Sequence, residues 1–203
     1  MKSLSEIDTV SKRASKAAGF SWGVSEEVGK NVRLLEMFGL SGIKNLNNYY
    51  KSRKNKKYEK LILIDTKNIK MKIEFCPIIA GTSFLDQVQS LEKIKEIVFE
   101  NVAFPILMLP FLSRASEVIG KRLLFKIDEK EFQLNYNYSI YSNLPKNEVI
   151  ENGRIIIIRF LNNNDSFEKK EWDELYKLSE DTFVEENESL KKSGAGAGLT
   201  DND

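Results

Sequence analysis

The most apolar stretch of the chain reads VAFPILMLPFLSRASEVI, residues 102–119. Its apolar side chains would cover most of a helix surface, which is typical of a helix buried on all sides. We therefore predict a central buried helix here. Its uninterrupted apolar part, Val102 to Leu112, is far shorter than the roughly 20 residues of a membrane span and contains Pro105 and Pro110, so we expect no transmembrane segment.

Helical patterns fill the first fifty residues. Ser3 and Glu6 have the spacing of a capping box at the start of a first helix, and Gly19 supplies its end. A second amphipathic helix ends at Gly39, and a third, shorter one follows. We predict a helical subdomain over residues 1–50.

Strand patterns appear once the β-branched content rises after residue 60. Alternating apolar and polar residues predict strands at 61–65, 69–75, 121–127, 132–140 and 154–160. Because turns rather than helices connect most of them, the sheet should be mostly antiparallel. Ser83 and Asp86 predict the start of a short helix, and Asp165 with Glu168 predicts an acidic C-terminal helix.

Together these patterns predict an α+β fold. An N-terminal helical subdomain is followed by a mostly antiparallel sheet packed on the central apolar helix, with C-terminal helices and a Gly-rich tail. A chain of 203 residues can bury one continuous core. We predict a single domain over 1–203, with 61–192 as its α+β body and 193–203 as a Gly-rich C-terminal segment.

Charge and composition exclude several function classes. The 31 Lys and Arg residues and 30 Asp and Glu residues leave a net charge of +1, which argues against a nucleic-acid binder. The chain has no histidine, so Ser-His-Asp and Cys-His nucleophilic sites and His-ligated zinc are excluded. We find no Walker loop, dinucleotide fingerprint or cysteine cluster. No metal site is predicted, and any cofactor stays unknown.

The single cysteine bears on location and on chemistry. Cys76 has no partner for a disulfide within the chain, and the first residues lack the apolar core of a secretory signal, so we expect a cytoplasmic protein. A helix start close to Cys76 would favour a thiolate nucleophile. Without a histidine partner, a small buried structural thiol is the better interpretation.

Charged side chains on the predicted helices are further candidates. Trp22 and Lys30, with Arg13 and Lys16 nearby, could line a pocket for a carboxylate-bearing metabolite, although a solvated helix face explains them as well. Arg114 interrupts an apolar helix and must reach solvent, a carboxylate or a ligand. We favour a structural ion pair over ligand contact for Arg114.

Two polar segments complete the candidates. The basic run at 51–60 resembles a phosphate-binding patch, but a solvated loop is the stronger interpretation. In the tail, alternating glycines could form a nest of amide donors for an anion, with nearby carboxylates as oxygen ligands for a hard cation. A disordered polar tail is the alternative. The tail candidates are Gly194, Gly196, Gly198, Asp201 and Asp203.

Three segments of the chain form a recognisable set: SKAAGFSWGVSEEVGK at 15–30, CPIIAG at 76–81 and GAGAGLTDND at 194–203. Together they resemble an uncharacterised bacterial family known as domain of unknown function 3726. The resemblance implies one full-length domain and a bacterial origin. It implies no reaction and no catalytic residues.

The best functional hypothesis is an accessory or binding protein for a small anionic metabolite or a partner enzyme. The alternative is a cofactor-independent enzyme of amino-acid or organic-acid metabolism that uses carboxylate, Lys or Arg chemistry. We expect a metabolite or a partner protein as ligand, with neither nucleic acid nor membrane. The apolar surplus of 102–119 fits a deep core or a subunit interface, so a homo-oligomer stays open.

Overall fold

The computed structural model describes residues 2–64, 73–145, 147–162 and 164–182. The chain divides into two compact units, Met1–Asn163 and Asn164–Asp203. The first unit holds the sheet and five α-helices among its described residues, and the second holds one helix. The single folding domain over the whole chain stays a prediction.

Three helices open the first unit, as predicted. They are α1 (Leu4–Ala17), α2 (Trp22–Met37) and α3 (Gly42–Ser52). The capping box is confirmed: the Glu6 amide donates to Ser3 Oγ at 3.1 Å, and the Ser3 amide donates to Glu6 Oε2 at 2.9 Å. Two of the four amides without helical partners at this end are thereby satisfied.

The fourth helix begins earlier than the sequence pattern indicates. It is α4 (Pro77–Leu91), with Cys76 as its N-cap residue. Because proline has no amide proton and a fixed φ, it fits the first helical position. Ser83 and Asp86 therefore lie inside the helix, and their predicted capping role is wrong.

The apolar stretch is only partly helical. A strand, β1 (Ile97–Ala103), is followed by a 3-10 turn at Pro105–Met108 and then by α5 (Leu109–Ile119). The single predicted helix is therefore wrong over residues 102–108. Pro105 is the first residue of the 3-10 turn and Pro110 is the second residue of α5, positions at which the missing amide proton costs little.

Four more strands complete one antiparallel sheet. They are β2 (Leu123–Ile127), β3 (Lys130–Asn135), β4 (Ser139–Ser142) and β5 (Asn152–Phe160), in the order β1-β5-β2-β3-β4. The predicted strand over 132–140 is two strands, because the chain turns at Tyr136, where φ is positive. The α+β class with an antiparallel sheet is confirmed.

The predicted strand pair at 61–65 and 69–75 is not present in the described residues. Residues 61–64 have no regular structure, and 65–72 lie outside the described residues. Phe75 instead makes isolated parallel bridges to Glu59 and to Val102 of β1. This short pairing covers the outer edge of β1 and leads directly into α4.

The core of the first unit lies where α4 and α5 pack together and α5 contacts β2 and β3. Its largest buried side chains are aromatic, among them Phe84, Phe99, Phe125 and Phe132. Such rings bury large apolar areas and dominate the packing energy.

The second unit contains α6 (Lys169–Glu180). Its capping box joins Glu168 and Glu171, so the predicted start at Asp165 is wrong by one turn. Trp172 and Leu175 are exposed, and the helix buries no residue. The predicted helix after Thr182 and the Gly-rich tail lie outside the described residues.

A glycine on α4 lets the two core helices approach each other. A Cβ at Gly81 would lie 2.4 Å from Cδ2 of the buried Phe111 ring. We expect Gly81→Ala to lower the free energy of unfolding by about 1–3 kcal/mol, measured by urea denaturation.

Gly23→Ala is the matched control, because nothing lies within 4 Å of its Cβ position on α2. It should be neutral or stabilise by up to about 1 kcal/mol. Equal stability of the two variants would contradict the close packing of α4 on α5.

Candidate functional site

The most distinctive cavity of the first unit has a volume of about 550 Å³ and lies among three parts of the chain. Its wall combines the turn from α1 into α2, the segment after α3 and the start of α4. Four cationic side chains line it: Arg53, Lys56, Lys57 and Lys60. We call this cavity the basic pocket.

The first turns of two helices line the basic pocket. Ser21 caps α2, and its Oγ accepts from the Val24 amide at 3.3 Å. Cys76 caps α4, and its Sγ accepts from the Ile79 amide at 3.5 Å. All four residues belong to the pocket wall. Helix N-termini carry a partial positive charge, so both ends favour an anion.

The lysines add positive charge to the wall, which contains no acidic side chain among the described residues. Lys56 Nζ lies 3.5 Å from Glu74 Oε2, outside the wall. Lys57 and Lys60 are exposed and contact no carboxylate within the part of the chain that the structure describes. Their charges are therefore available to a ligand.

Arg53 is held in place by neutral groups. Its Cζ lies 4.4 Å from the centroid of the Phe20 ring. Nη2 donates to the Ala18 carbonyl at 3.3 Å, and Nη1 donates to the Tyr49 hydroxyl at 3.4 Å. These contacts orient the guanidinium, and no carboxylate of the described residues neutralises its charge.

Beneath the pocket lies a buried hydroxyl and thiol pair. Tyr49 is fully buried, and its OH donates to Cys76 Sγ at 2.9 Å. Burial raises the pKa of Tyr49 far above its ordinary value of 10.0, so the phenol keeps its proton and remains a donor. Burial likewise raises the pKa of Tyr50 to about 12, and its OH donates to Ser15 Oγ at 2.6 Å.

Arg114 and Lys30 meet at one carboxylate. Arg114 Nη1 donates to Glu27 Oε2, and Lys30 Nζ donates to Glu27 Oε1 at 2.9 Å, which ties α5 to α2. Partial burial raises the pKa of Glu27, but the hydrogen bonds from Arg114 and Lys30 outweigh it, so the pKa lies below 4.5. Arg114 therefore has the ion pair expected of it.

The predicted site residues are only partly brought together. Cys76 lies in the basic pocket, whereas Arg114 and Lys30 do not line it. Trp22 is 56% exposed, with Lys16 Nζ 5.4 Å from its ring centroid. The tail candidates, Gly194, Gly196, Gly198, Asp201 and Asp203, lie outside the described residues.

The basic residues of the pocket all lie in the run 51–60, for which the sequence favours a solvated loop and leaves a phosphate-binding patch as the alternative. A usable signal was present in Cys76-Pro77, since proline at the first helical position places a helix N-terminus there. The predicted helix start at Ser83 lies two turns beyond this position.

Metal ligation and membrane spanning find no support in the described residues. Over these residues, no group of three His, Cys, Asp or Glu side chains is placed to hold a metal ion. None of the described helices has both the length and the apolarity to cross a bilayer.

The ion pair on α2 gives a pH prediction. Glu27→Gln should lower the free energy of unfolding at pH 7 by about 1 kcal/mol, because a charged acceptor between two cations is lost. A carboxylate whose pKa is lower in the folded state stabilises the fold at pH values above its unfolded-state pKa. This contribution is lost as the pH falls through the folded-state pKa. The difference in the free energy of unfolding between Glu27→Gln and the natural chain should therefore be complete above about pH 4.5 and disappear at lower pH.

Glu26→Gln is the control for the ion pair, since Glu26 is exposed on the same helix. Urea denaturation from acid to neutral pH should show no such pH dependence for Glu26→Gln. A Glu27→Gln difference that persists unchanged in acid would contradict the ion-pair assignment.

The burial of Cys76 predicts slow alkylation. Cys76 is 3% exposed and is the only cysteine in the chain, so labelling with a thiol reagent reports on this one position. Iodoacetamide should modify the native chain far more slowly than the chain in denaturing urea, as followed by mass spectrometry. Equal rates would favour the nucleophile interpretation over the structural thiol.

Comparison with known proteins gives one relationship. Neither a curated protein nor a solved structure matches the chain. Residues 2–73 match a family model described as "Protein of unknown function (DUF3726)". Of the three resembling segments, 15–30 lies inside this match, and 76–81 and 194–203 lie outside it. The predicted resemblance to this family is therefore confirmed over residues 2–73, the part of the chain that the family model matches.

Proposed function

We propose that this chain binds a small anionic metabolite in the basic pocket and acts as an accessory or binding protein for it. The observation that carries the proposal is the joint lining of one cavity by four cationic side chains and two helix N-termini. Each feature alone is common on protein surfaces. Their convergence without an acidic side chain in the described wall selects for negative charge.

The size and lining of the pocket support a small organic ligand. Its volume of about 550 Å³ falls within the range of about 300–1,000 Å³ for small-molecule sites. Phe20, Val24 and Ile79 give the wall an apolar part. An anion with an apolar body would therefore contact both kinds of surface.

A binding role has more support than catalysis. General acid–base chemistry needs a group that exchanges protons near neutral pH, and the described wall has no carboxylate or histidine. The rival enzyme would have to use the lysines, Arg53, Tyr58 or Cys76 of the wall for proton transfer. Binding without turnover of the same compound would separate the two functions.

The proposal includes a cytoplasmic location and a bacterial origin. The first is supported by the single cysteine, which has no disulfide partner in the chain, and the second by the family resemblance. A partner protein is the alternative ligand, and the Gly-rich segment at 193–203 remains a proposed contributor.

The proposal is tested by thermal denaturation against organic acids, phosphates and amino acids. A ligand at about one hundred times its dissociation constant should add about 2.7 kcal/mol and raise the melting temperature by several degrees. In Lys57→Ala/Lys60→Ala we expect affinity to fall roughly tenfold, because two ligand-facing charges are lost. Affinities come from calorimetric titration.

Lys93→Ala/Lys95→Ala is the matched control, since it removes two exposed lysines that lie outside the pocket. Its affinity should equal that of the natural chain. Equal weakening in both double variants would indicate nonspecific attraction and contradict the pocket. A chain ending at Lys192 tests the proposed role of the tail in the same assay.

A further inference from the structure

We infer that the anionic group of the ligand is a phosphate monoester and that Arg53 is the residue that recognises it. The inference rests on the proposed function, because it names the ligand class of the same pocket. Its support comes from the charge, the geometry and the apolar part of the wall, in that order.

The positive charge of the wall favours a ligand that carries more than one negative charge. Arg53, Lys57 and Lys60 have no carboxylate partner in the described part of the chain, and two helix N-termini add partial positive charge. A carboxylate offers one negative charge and two acceptor oxygens. A phosphate monoester carries about 1.5 to 2 negative charges at pH 7 and three acceptor oxygens. It therefore matches the donors of the wall better.

The geometry identifies Arg53 as the specific contact. A guanidinium has five N–H donors. Two donate to Ala18 and Tyr49, so three remain for a ligand. The Phe20 ring, 4.4 Å from Cζ, and the two hydrogen bonds restrict the movement of the guanidinium. A pre-oriented planar fork suits two phosphate oxygens at once and loses little side-chain entropy on binding.

The lysines have a different part in recognition. Lys57 and Lys60 are exposed, and an ammonium is a compact charge on a flexible stem. They attract any anion but do not discriminate by shape. Discrimination between a phosphate and another anion should therefore depend on Arg53 and on the two helix starts.

The apolar part of the wall distinguishes an organic ester from free phosphate. Phe20, Val24 and Ile79 line the same cavity as the cations. An ester substituent would cover this surface and gain from its burial, whereas inorganic phosphate would leave it wet. The ester should therefore bind more tightly than the free ion.

Calorimetric titration of the full chain with four probes tests the inference. The probes are phenyl phosphate, phenyl sulfate, benzoate and inorganic phosphate. We expect phenyl phosphate to bind at least about fivefold more tightly than each of the others, since it alone combines a dianion with an apolar ring. Arg53→Lys should weaken phenyl phosphate about tenfold or more while keeping the charge.

Arg33→Lys is the matched control, because Arg33 lies on α2 outside the pocket wall. Its Nε lies 4.0 Å from Asp8 Oδ2. It should leave all four affinities unchanged. Urea denaturation of Arg53→Lys establishes that the variant is folded. If it is not, Phe20→Leu replaces it, because loss of the stacking ring frees the guanidinium and should weaken phenyl phosphate several-fold.

The outcomes separate the inference from the proposed function. If no probe and no anion of the wider panel binds, the proposed function fails. If benzoate or phenyl sulfate binds as tightly as phenyl phosphate, the pocket holds anions but the phosphate class is wrong. If inorganic phosphate matches phenyl phosphate, the ligand is free phosphate rather than an ester. If folded Arg53→Lys binds phenyl phosphate like the natural chain, Arg53 is not the recognising residue.

Discussion

The short backbone pairing through Phe75 is the constraint on which the rest of the site depends. The Phe75 amide donates to the Asn101 carbonyl at 2.7 Å, and the Cys76 amide donates to the Glu59 carbonyl at 2.8 Å. One segment is thereby held against β1 on one side and against the basic run on the other. Because Pro77 follows at once, the same pairing fixes where α4 begins and brings its N-terminus to Lys57 and Lys60.

The collection of positive charge in one cavity contrasts with a net charge of only +1 over the whole chain. Like charges that face a common space repel each other, so the arrangement lowers the stability of the unliganded fold. A bound anion would relieve this repulsion and bind only the folded state, which raises stability in proportion to its concentration and affinity. The ion pair between Arg114 and Glu27 differs from the basic pocket. There the cation already has a carboxylate partner within the chain, and the pair connects α5 to α2.

Features that depend on residues only a few positions apart could be predicted from the sequence. The Ser3–Glu6 capping box and the β2–β3 hairpin follow from spacing within a few residues, and both were predicted. The start of α4 was predicted too late in the chain, because Ser83 and Asp86 have the spacing of a capping box although both lie inside the helix. The pocket was beyond prediction because Arg53 depends on Phe20 and Ala18, more than thirty residues away in the chain. No periodicity encodes that contact.

The most direct test of an anion held between two helix starts is a phosphate titration followed by two-dimensional NMR of backbone amides. If the anion binds in the basic pocket, the largest saturable shifts should occur at Val24 and Ile79, the third residues of α2 and α4, together with the Arg53 side chain. Shifts spread evenly over exposed lysines, with none at these two amides, would show that anions bind only to the general surface and would contradict binding in the pocket.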